Sequence, residues 1–243
     1  MATAVIDGIT TRYEVVGSGP ALLMFSPGGF DATLDKWSTQ GIYARIRPVD
    51  HLSRKYTCVI FDRRETGESG GRLERITWTD YVRQGKGLLD HLGITRANIM
   101  GACMGCCPAA AFAVAHSVMT TSLLLYWPVG GPLYRINGHL RFAQHVAFVH
   151  QQGLAAVVAL AAEGKSFGQD PRGGPWVSVL RRDPAFAERF TTQDVEAYKL
   201  LVTSMGRTLI DRDTAPGAEP EDLLRLNLPA LIVPGNDHSH GTS

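Results

Sequence analysis

Short apolar runs alternate with helical patterns along this chain, and the alternation restricts the fold more than any other feature. Ala21 to Phe25, Thr57 to Phe61 and Ser122 to Trp127 have the length and composition of strands buried on both faces. Helical patterns lie between them, from Thr77 to about Leu92 and from Pro108 to about Met119. This order predicts an α/β fold with a mostly parallel sheet and helices on both of its faces.

The second half of the chain loses the strand signal. Residues 133–226 are helical in period, and loops rich in glycine and proline separate the pieces. A strand pattern returns from Ala230 to Val233. We therefore expect a core formed by residues 1–132 and 227–243 and a helical cap inserted at residues 133–226. Aromatic residues are expected to line the cleft between cap and core or to pack the cap, namely Trp127, Tyr134, Phe142, Phe148 and Trp176.

Composition argues against several classes of function. The formal net charge is +1 and both signs are interspersed, unlike the basic surface of a nucleic-acid-binding protein. The sequence has no signal-peptide pattern, and its apolar runs are shorter than the ~20 residues of a membrane span. His238 and His240 beside Asp237 lack a third partner at metal-site spacing. We therefore expect a cytoplasmic protein with reduced thiols, no metal or cofactor and a small-molecule partner, and we leave a homodimer open.

The segment Gly101-Ala102-Cys103-Met104-Gly105 follows a strand pattern and precedes an apolar helix. In that context the pattern G-x-C-x-G predicts a nucleophile elbow, a tight turn that presents a reactive side chain. Side chains at Gly101 or Gly105 would collide with the neighbouring strand or helix, and the helix N-terminus favours the thiolate form of Cys103. Cys103 and Cys106 also form a C-x-x-C pair, but thioredoxin-type proteins carry that pair near the start of a small βαβ domain. We therefore interpret Cys103 as a nucleophile.

Four landmarks occur in the order found in the α/β-hydrolase superfamily, and the chain resembles that superfamily over nearly its whole length. The landmarks are a glycine loop at Pro27–Phe30, a turn similar to D-x-R-G-x-G-x-S at Asp62–Ser69, the elbow at Gly101–Gly105 and an acid turn at Pro234–Asp237. The resemblance implies a hydrolase fold whose catalytic groups lie at the ends of these strands.

The resemblance also implies roles for individual groups. The main-chain N–H of Met104 and that of Gly29, or else of Phe30, would form an oxyanion hole that stabilises charge on the substrate oxygen. Asp237 would orient a catalytic histidine.

The sequence departs from the family pattern at two places within the landmarks. Most members carry serine at the elbow, and versions with cysteine, as at Cys103, resemble dienelactone hydrolases and the thiol acyltransferases that make polyesters. Glu65 replaces the usual glycine of the second landmark, which affects the expected geometry of that turn.

The catalytic histidine is the third departure. The family places it after one more strand beyond the acid, whereas this sequence ends six residues after Asp237. His240 is the nearest candidate base, ahead of His238, although residues so close to the acid more often cap a helix. We expect weakened activity and an uncovered strand edge that favours aggregation.

The leading hypothesis is a hydrolase of carboxylic esters, lactones or thioesters that works through an acyl-cysteine intermediate. Two alternatives stay open. One is acyl transfer from a thioester to an acceptor other than water. The other is a non-catalytic ligand-binding or scaffold protein, because the expected histidine is missing.

Overall fold

A computed structural model describes residues 1–210 and 217–236. Within these residues seven strands form one sheet in the order β1-β2-β4-β3-β5-β6-β7. The first two pairings, β1 with β2 and β2 with β4, are antiparallel, and the other pairings are parallel. This confirms the predicted mostly parallel sheet. The strands are β1 Ala2–Ile6, β2 Ile9–Val16, β3 Ala21–Phe25, β4 Thr57–Phe61, β5 Ala97–Ala102, β6 Thr120–Tyr126 and β7 Ala230–Val233.

The central strands are apolar along their whole length because they pack on both faces. Successive side chains of a strand point to opposite sides of a sheet. In β3, Leu23 and Phe25 belong to one buried cluster, whereas Leu22 and Met24 belong to a second cluster. Each cluster needs apolar side chains, so alternation is lost and the strand reads as one continuous run.

Helices cover both of these faces. Tyr81 and Phe112 contribute to the first cluster, and Trp37 and Tyr43 contribute to the second. The helices before β6 are α1 Lys36–Thr39, α2 Gly41–Ile46, α3 Pro48–Leu52, α4 Trp78–His91 and α5 Cys106–Ala115.

One predicted helix end is wrong. The pattern predicted a helix from Pro108 to about Met119, but α5 begins at Cys106 and ends at Ala115. The residues after it turn, and the N–H of Ala97 donates to the carbonyl of Met119 at 2.9 Å. Pairing of β6 with β5 therefore takes these residues away from the helix.

The long connection between β6 and β7 is helical. Residues 211–216 lie outside the described part of the chain, and the rest of the connection contains helices and turns but no strand. Its helices are α6 Gly131–Ala161, α7 Val177–Arg182, α8 Pro184–Thr191, α9 Val195–Ile210 and α10 Pro220–Leu224. The backbone of α6 breaks at Gly153, where φ is 76° and ψ is 177°. None of the helices in residues 1–210 and 217–236 has both the length and the apolarity that crossing a membrane requires.

His145 fixes α6 against the other helices of this connection. Its buried ring places Nδ1 at 2.8 Å from the carbonyl oxygen of Arg172 and Nε2 at 2.7 Å from the hydroxyl of Tyr198. Since a carbonyl oxygen only accepts, Nδ1 carries the proton and Nε2 accepts from Tyr198. Burial lowers the pKa of His145 to about 4, so the ring is neutral at neutral pH. His145 is thus a packing residue.

Acid should destabilise the protein through His145. Its folded-state pKa of about 4 lies below its ordinary value of 6.5, so it contributes stability above pH 6.5 that is lost as the pH falls toward 4. Linkage gives a loss of about 2 kcal/mol between about pH 7 and pH 5. Urea denaturation should therefore show a smaller pH dependence in His145→Asn than in wild type.

His51→Asn is the matched control, because His51 is exposed. This variant should keep the wild-type pH dependence of unfolding. If His145→Asn and wild type lose equal stability over that pH range, the assignment of this pH dependence to His145 is wrong.

Candidate active site

A crowded turn between β5 and α5 holds Cys103. Its backbone has φ of 52°, in the left-handed region that costs energy for residues other than glycine. A Cβ added at Gly101 would lie 2.3 Å from the carbonyl oxygen of Gly105, and one added at Gly105 would lie 2.3 Å from that of Phe25. Neither glycine has a positive φ, so the requirement is for space and not for backbone freedom. The structure thus leaves no space for a side chain at either position, as the sequence predicts.

Cys103 differs from the other three cysteines in exposure. It is partly exposed, whereas Cys58, Cys106 and Cys107 are buried. Burial raises the pKa of Cys58 to about 11 and also raises the pKa values of Cys106 and Cys107. These three thiols therefore stay protonated, which leaves Cys103 as the cysteine placed for reaction with a ligand.

The C-x-x-C pair does not form a disulfide. The thiol of Cys106 instead donates to the carbonyl oxygens of Gly101, at 3.2 Å, and Tyr126, at 3.5 Å. These contacts bind the first turn of α5 to the ends of β5 and β6. The role of Cys106 in the structure is consequently to support the turn.

A cavity of about 290 Å³ opens beside Cys103. Met104, Gly29 and Phe30 line it together with Cys103. A Cβ added at Gly29 would lie 3.4 Å from Sδ of Met104, so the glycine loop and the elbow adjoin at this point. Four of the predicted site residues therefore share one cavity. The other lining residues are Gly28, Asp31, Lys36, Gln40, Val129, Tyr134, Asn137, Gly138, Arg141, Phe142, Phe167, Gly168 and Ile210.

Arg63 binds the glycine loop through the carbonyl groups of that loop. Its guanidinium is fully buried and donates through Nη2 to the carbonyl oxygens of Gly28 and Gly29, the latter at 2.6 Å. In a planar trans peptide the N–H points opposite to the C=O. Binding of these two carbonyls therefore directs the N–H groups of Gly29 and Phe30 away from Arg63.

The rest of the second landmark connects loops. Asp62 accepts hydrogen bonds from the main-chain N–H groups of Leu34 and Glu68, both at 2.8 Å. Glu65, which replaces the usual glycine, takes the left-handed backbone with φ of 64°. Its buried carboxylate accepts from Nε of Arg64 at 2.9 Å. The turn thus keeps a glycine-like backbone, and an ion pair within the protein accommodates the additional side chain.

The helix α6 supplies cavity residues that the sequence did not single out as a group. Tyr134, Asn137, Gly138, Arg141 and Phe142 all line the cavity. Their separations of three and four residues place them on one face of a helix. A search for helical spacing around the aromatic residues already noted would have found this face. Of the other aromatics, Trp176 packs in the interior, where its indole N–H donates to the carbonyl of Arg72 at 2.9 Å.

The predicted acid and base, Asp237 and His240, lie outside the described residues. The strand before them is described. Because β7 runs parallel to β6 and β5, its carboxyl end at Val233 lies at the same edge of the sheet as the elbow. In parallel sheets this edge is where ligands bind.

Comparisons with known proteins agree with this architecture. Residues 22–122 match the family model described as alpha/beta hydrolase fold. A curated relative, the dihydrolipoyllysine-residue acetyltransferase component of an acetoin cleaving system from Cupriavidus necator, is 32% identical over 125 residues. That alignment covers 51% of this chain and 31% of the relative, so it spans about a third of the relative's length.

Solved structures resemble the chain over nearly its whole length. The enol-lactonase from Burkholderia xenovorans LB400 has a TM-score of 0.57 at 19% identity, covering 98% of this chain and 83% of its own. A thermophilic esterase from Thermogutta terrifontis has a TM-score of 0.55 at 18% identity, covering 95% and 78%. MGS-M2, an α/β hydrolase from a Medee basin deep-sea metagenome library, has a TM-score of 0.58 at 19% identity, covering 96% and 78%.

Three observations agree. They are the match of residues 22–122 to the family model, the strand order of the sheet and the likeness to these solved structures. The chain has the α/β-hydrolase fold.

Proposed function

We propose that this protein cleaves carboxylic ester, lactone or thioester bonds through an acyl thioester formed on Cys103. The observation that carries the proposal is the placement of Cys103. It is a partly exposed thiol on a strained turn, and it lines the same cavity as Met104 and Gly29. The structural likeness to an enol-lactonase and an esterase supports the same reaction class.

The proposed reaction has two halves. The thiolate of Cys103 attacks the acyl carbon, and the carbonyl oxygen gains negative charge that the N–H groups of Met104 and of Gly29 or Phe30 stabilise. The bond to the leaving group then breaks, and the leaving group takes up a proton. Water attacks the thioester next, releasing the acid and restoring the thiol. Asp237 and His240 remain our proposed acid and base for these proton transfers.

The cavity fits a small acyl group better than a long one. Its volume is about 290 Å³, and Phe30, Val129, Phe142 and Phe167 are among the residues that line it. Such a cavity favours an apolar acyl part, since most ligand sites are lined mainly by apolar side chains. We propose that the helices between β6 and β7 act as a cap that sets this preference.

Acyl transfer is a second candidate, supported by the acetyltransferase name of the Cupriavidus necator relative. An acyl thioester can pass to an alcohol or thiol as well as to water. Product analysis with a competing alcohol separates the two reactions, because transfer yields a new ester and hydrolysis yields only the acid.

Removal of the Cys103 sulfur should abolish acylation. With p-nitrophenyl acetate, wild type should release nitrophenol in a rapid burst equal to the number of active sites, and Cys103→Ala should show none. Stopped-flow absorbance measures this burst. Cys58→Ala is the matched control, because Cys58 lies in the second core cluster, and its burst should match wild type. An unchanged burst in Cys103→Ala would reject the nucleophile assignment.

Arg63→Met should lower kcat more than it changes KM. The substitution keeps a long buried side chain but removes the donor to the carbonyls of Gly28 and Gly29. Misdirected N–H groups would weaken transition-state stabilisation, and we expect kcat to fall ~10- to 100-fold, somewhat less than for deleting a donor.

Arg182→Met is the control for that variant. Arg182 donates to the carbonyl of Ser69 at 2.6 Å and so binds the same landmark turn from α7. Its loss should leave kcat near wild type. Equal effects of the two variants on kcat would mean that general loosening of the turn, and not orientation of the glycine loop, explains the result.

A further inference from the structure

We propose that the hydroxyl of Tyr134 donates a hydrogen bond to an oxygen of the acyl substrate held at Cys103. This inference rests on the proposed function and adds a side-chain donor to the main-chain donors of the site.

The position of Tyr134 on α6 places it at the cavity that contains Cys103. It lies near the start of α6 and lines the cavity together with Cys103 and Met104. Phe142, two turns further along the same face of α6, lines the cavity as well. The tyrosine is thus carried on a helix whose inner face forms one wall of the site.

The hydroxyl of Tyr134 is buried, and it has no hydrogen-bond partner among the residues that the structure describes. Buried hydroxyls nearly always have a partner, because one left without a partner keeps the full cost of its lost hydration. Tyr198 follows that rule, since its buried hydroxyl lies 2.7 Å from Nε2 of His145. Among the cavity residues the side-chain oxygen of Gln40 is also without a partner, but it is an acceptor, whereas a carbonyl substrate needs a donor.

Electrostatics keep Tyr134 in its donor form. Burial raises the pKa of the phenol well above its ordinary value, and the thiolate form of Cys103 would raise it further, while Arg63 opposes this effect. The hydroxyl therefore keeps its proton throughout the reaction. Tyr134 also lines the same cavity as Cys103, where negative charge develops on the substrate oxygen. A neutral donor at that place stabilises the substrate oxygen without transferring its proton.

Tyr134→Phe separates this role from a structural one. The variant keeps the ring and removes a hydroxyl that is unsatisfied in the protein alone, so the melting temperature should stay equal or rise. The acylation rate constant with p-nitrophenyl acetate should nevertheless fall ~10-fold or more, as expected for losing one donor to the reacting oxygen. An acylation rate within about twofold of wild type would overturn the proposal.

Tyr198→Phe is the matched control with the opposite expectation. Its hydroxyl bonds to His145 among the helices of the connection, and neither residue lines the cavity that contains Cys103. Its removal should lower the melting temperature and leave the acylation rate near wild type. If both variants lost stability and activity together, a structural role would explain Tyr134 and the proposal would be wrong.

Binding of an uncleaved carbonyl compound keeps the test independent of Cys103 chemistry. Calorimetric titration with phenylacetamide should give a Kd that is at least ~5-fold higher for Cys103→Ala/Tyr134→Phe than for Cys103→Ala. If wild type shows no acyl burst, the proposed function is wrong. The titration then still tests whether the hydroxyl of Tyr134 donates to a bound carbonyl compound. Equal affinities in that case would reject the donor role.

Discussion

The close approach of the elbow to its neighbours is the constraint on which the rest of the site depends. Carbonyl oxygens of Gly105 and Phe25 lie where a Cβ at Gly101 or Gly105 would have to go. The helix α5 can therefore begin directly beside the end of β3, and Cys103 accepts a left-handed backbone at the turn. This conformation costs energy, and packing on both sides of the sheet offsets the cost. The pairing of β3 with β5 fixes the two strands relative to each other. The same packing gives a partly exposed thiol a defined position in the cavity that Gly29 and Met104 also line.

A second constraint is the binding of the glycine loop by Arg63. Arg63 is a fully buried cation whose donors meet main-chain carbonyls of that loop, and its guanidinium lies 5.0 Å from the ring centre of Tyr81. Cationic donors polarise the peptide groups that they bind and strengthen the N–H on the other side. The landmark turn of the fourth strand and the glycine loop of the third thus act together. We therefore expect a substitution at Arg63 to act on the proposed site through the glycine loop, without a contact to the substrate.

The sequence predicted the elements that follow from local pattern. Continuous apolar runs identified the strands, and the G-x-C-x-G spacing identified the turn, because both depend on residues close in sequence. The end of α5 was mispredicted, since pairing of β6 with β5 overrides the helical preference of the residues before Thr120. The shared face of α6 was missed, because which side of a helix meets a cavity depends on tertiary packing. His145 shows the same limit: a histidine in the helical connection gives no sign in the sequence that its ring is buried between Arg172 and Tyr198.

In the proposed reaction the sulfur of Cys103, and no other thiol, receives the acyl group. The most direct measurement is acid quenching of the protein within the burst phase of p-nitrophenyl acetate turnover, followed by proteolysis and peptide mass spectrometry. We expect one acetyl group per chain, attached to Cys103, with Cys58, Cys106 and Cys107 unmodified. Acetylation on another residue, or rapid release of nitrophenol with Cys103 unmodified, would contradict it.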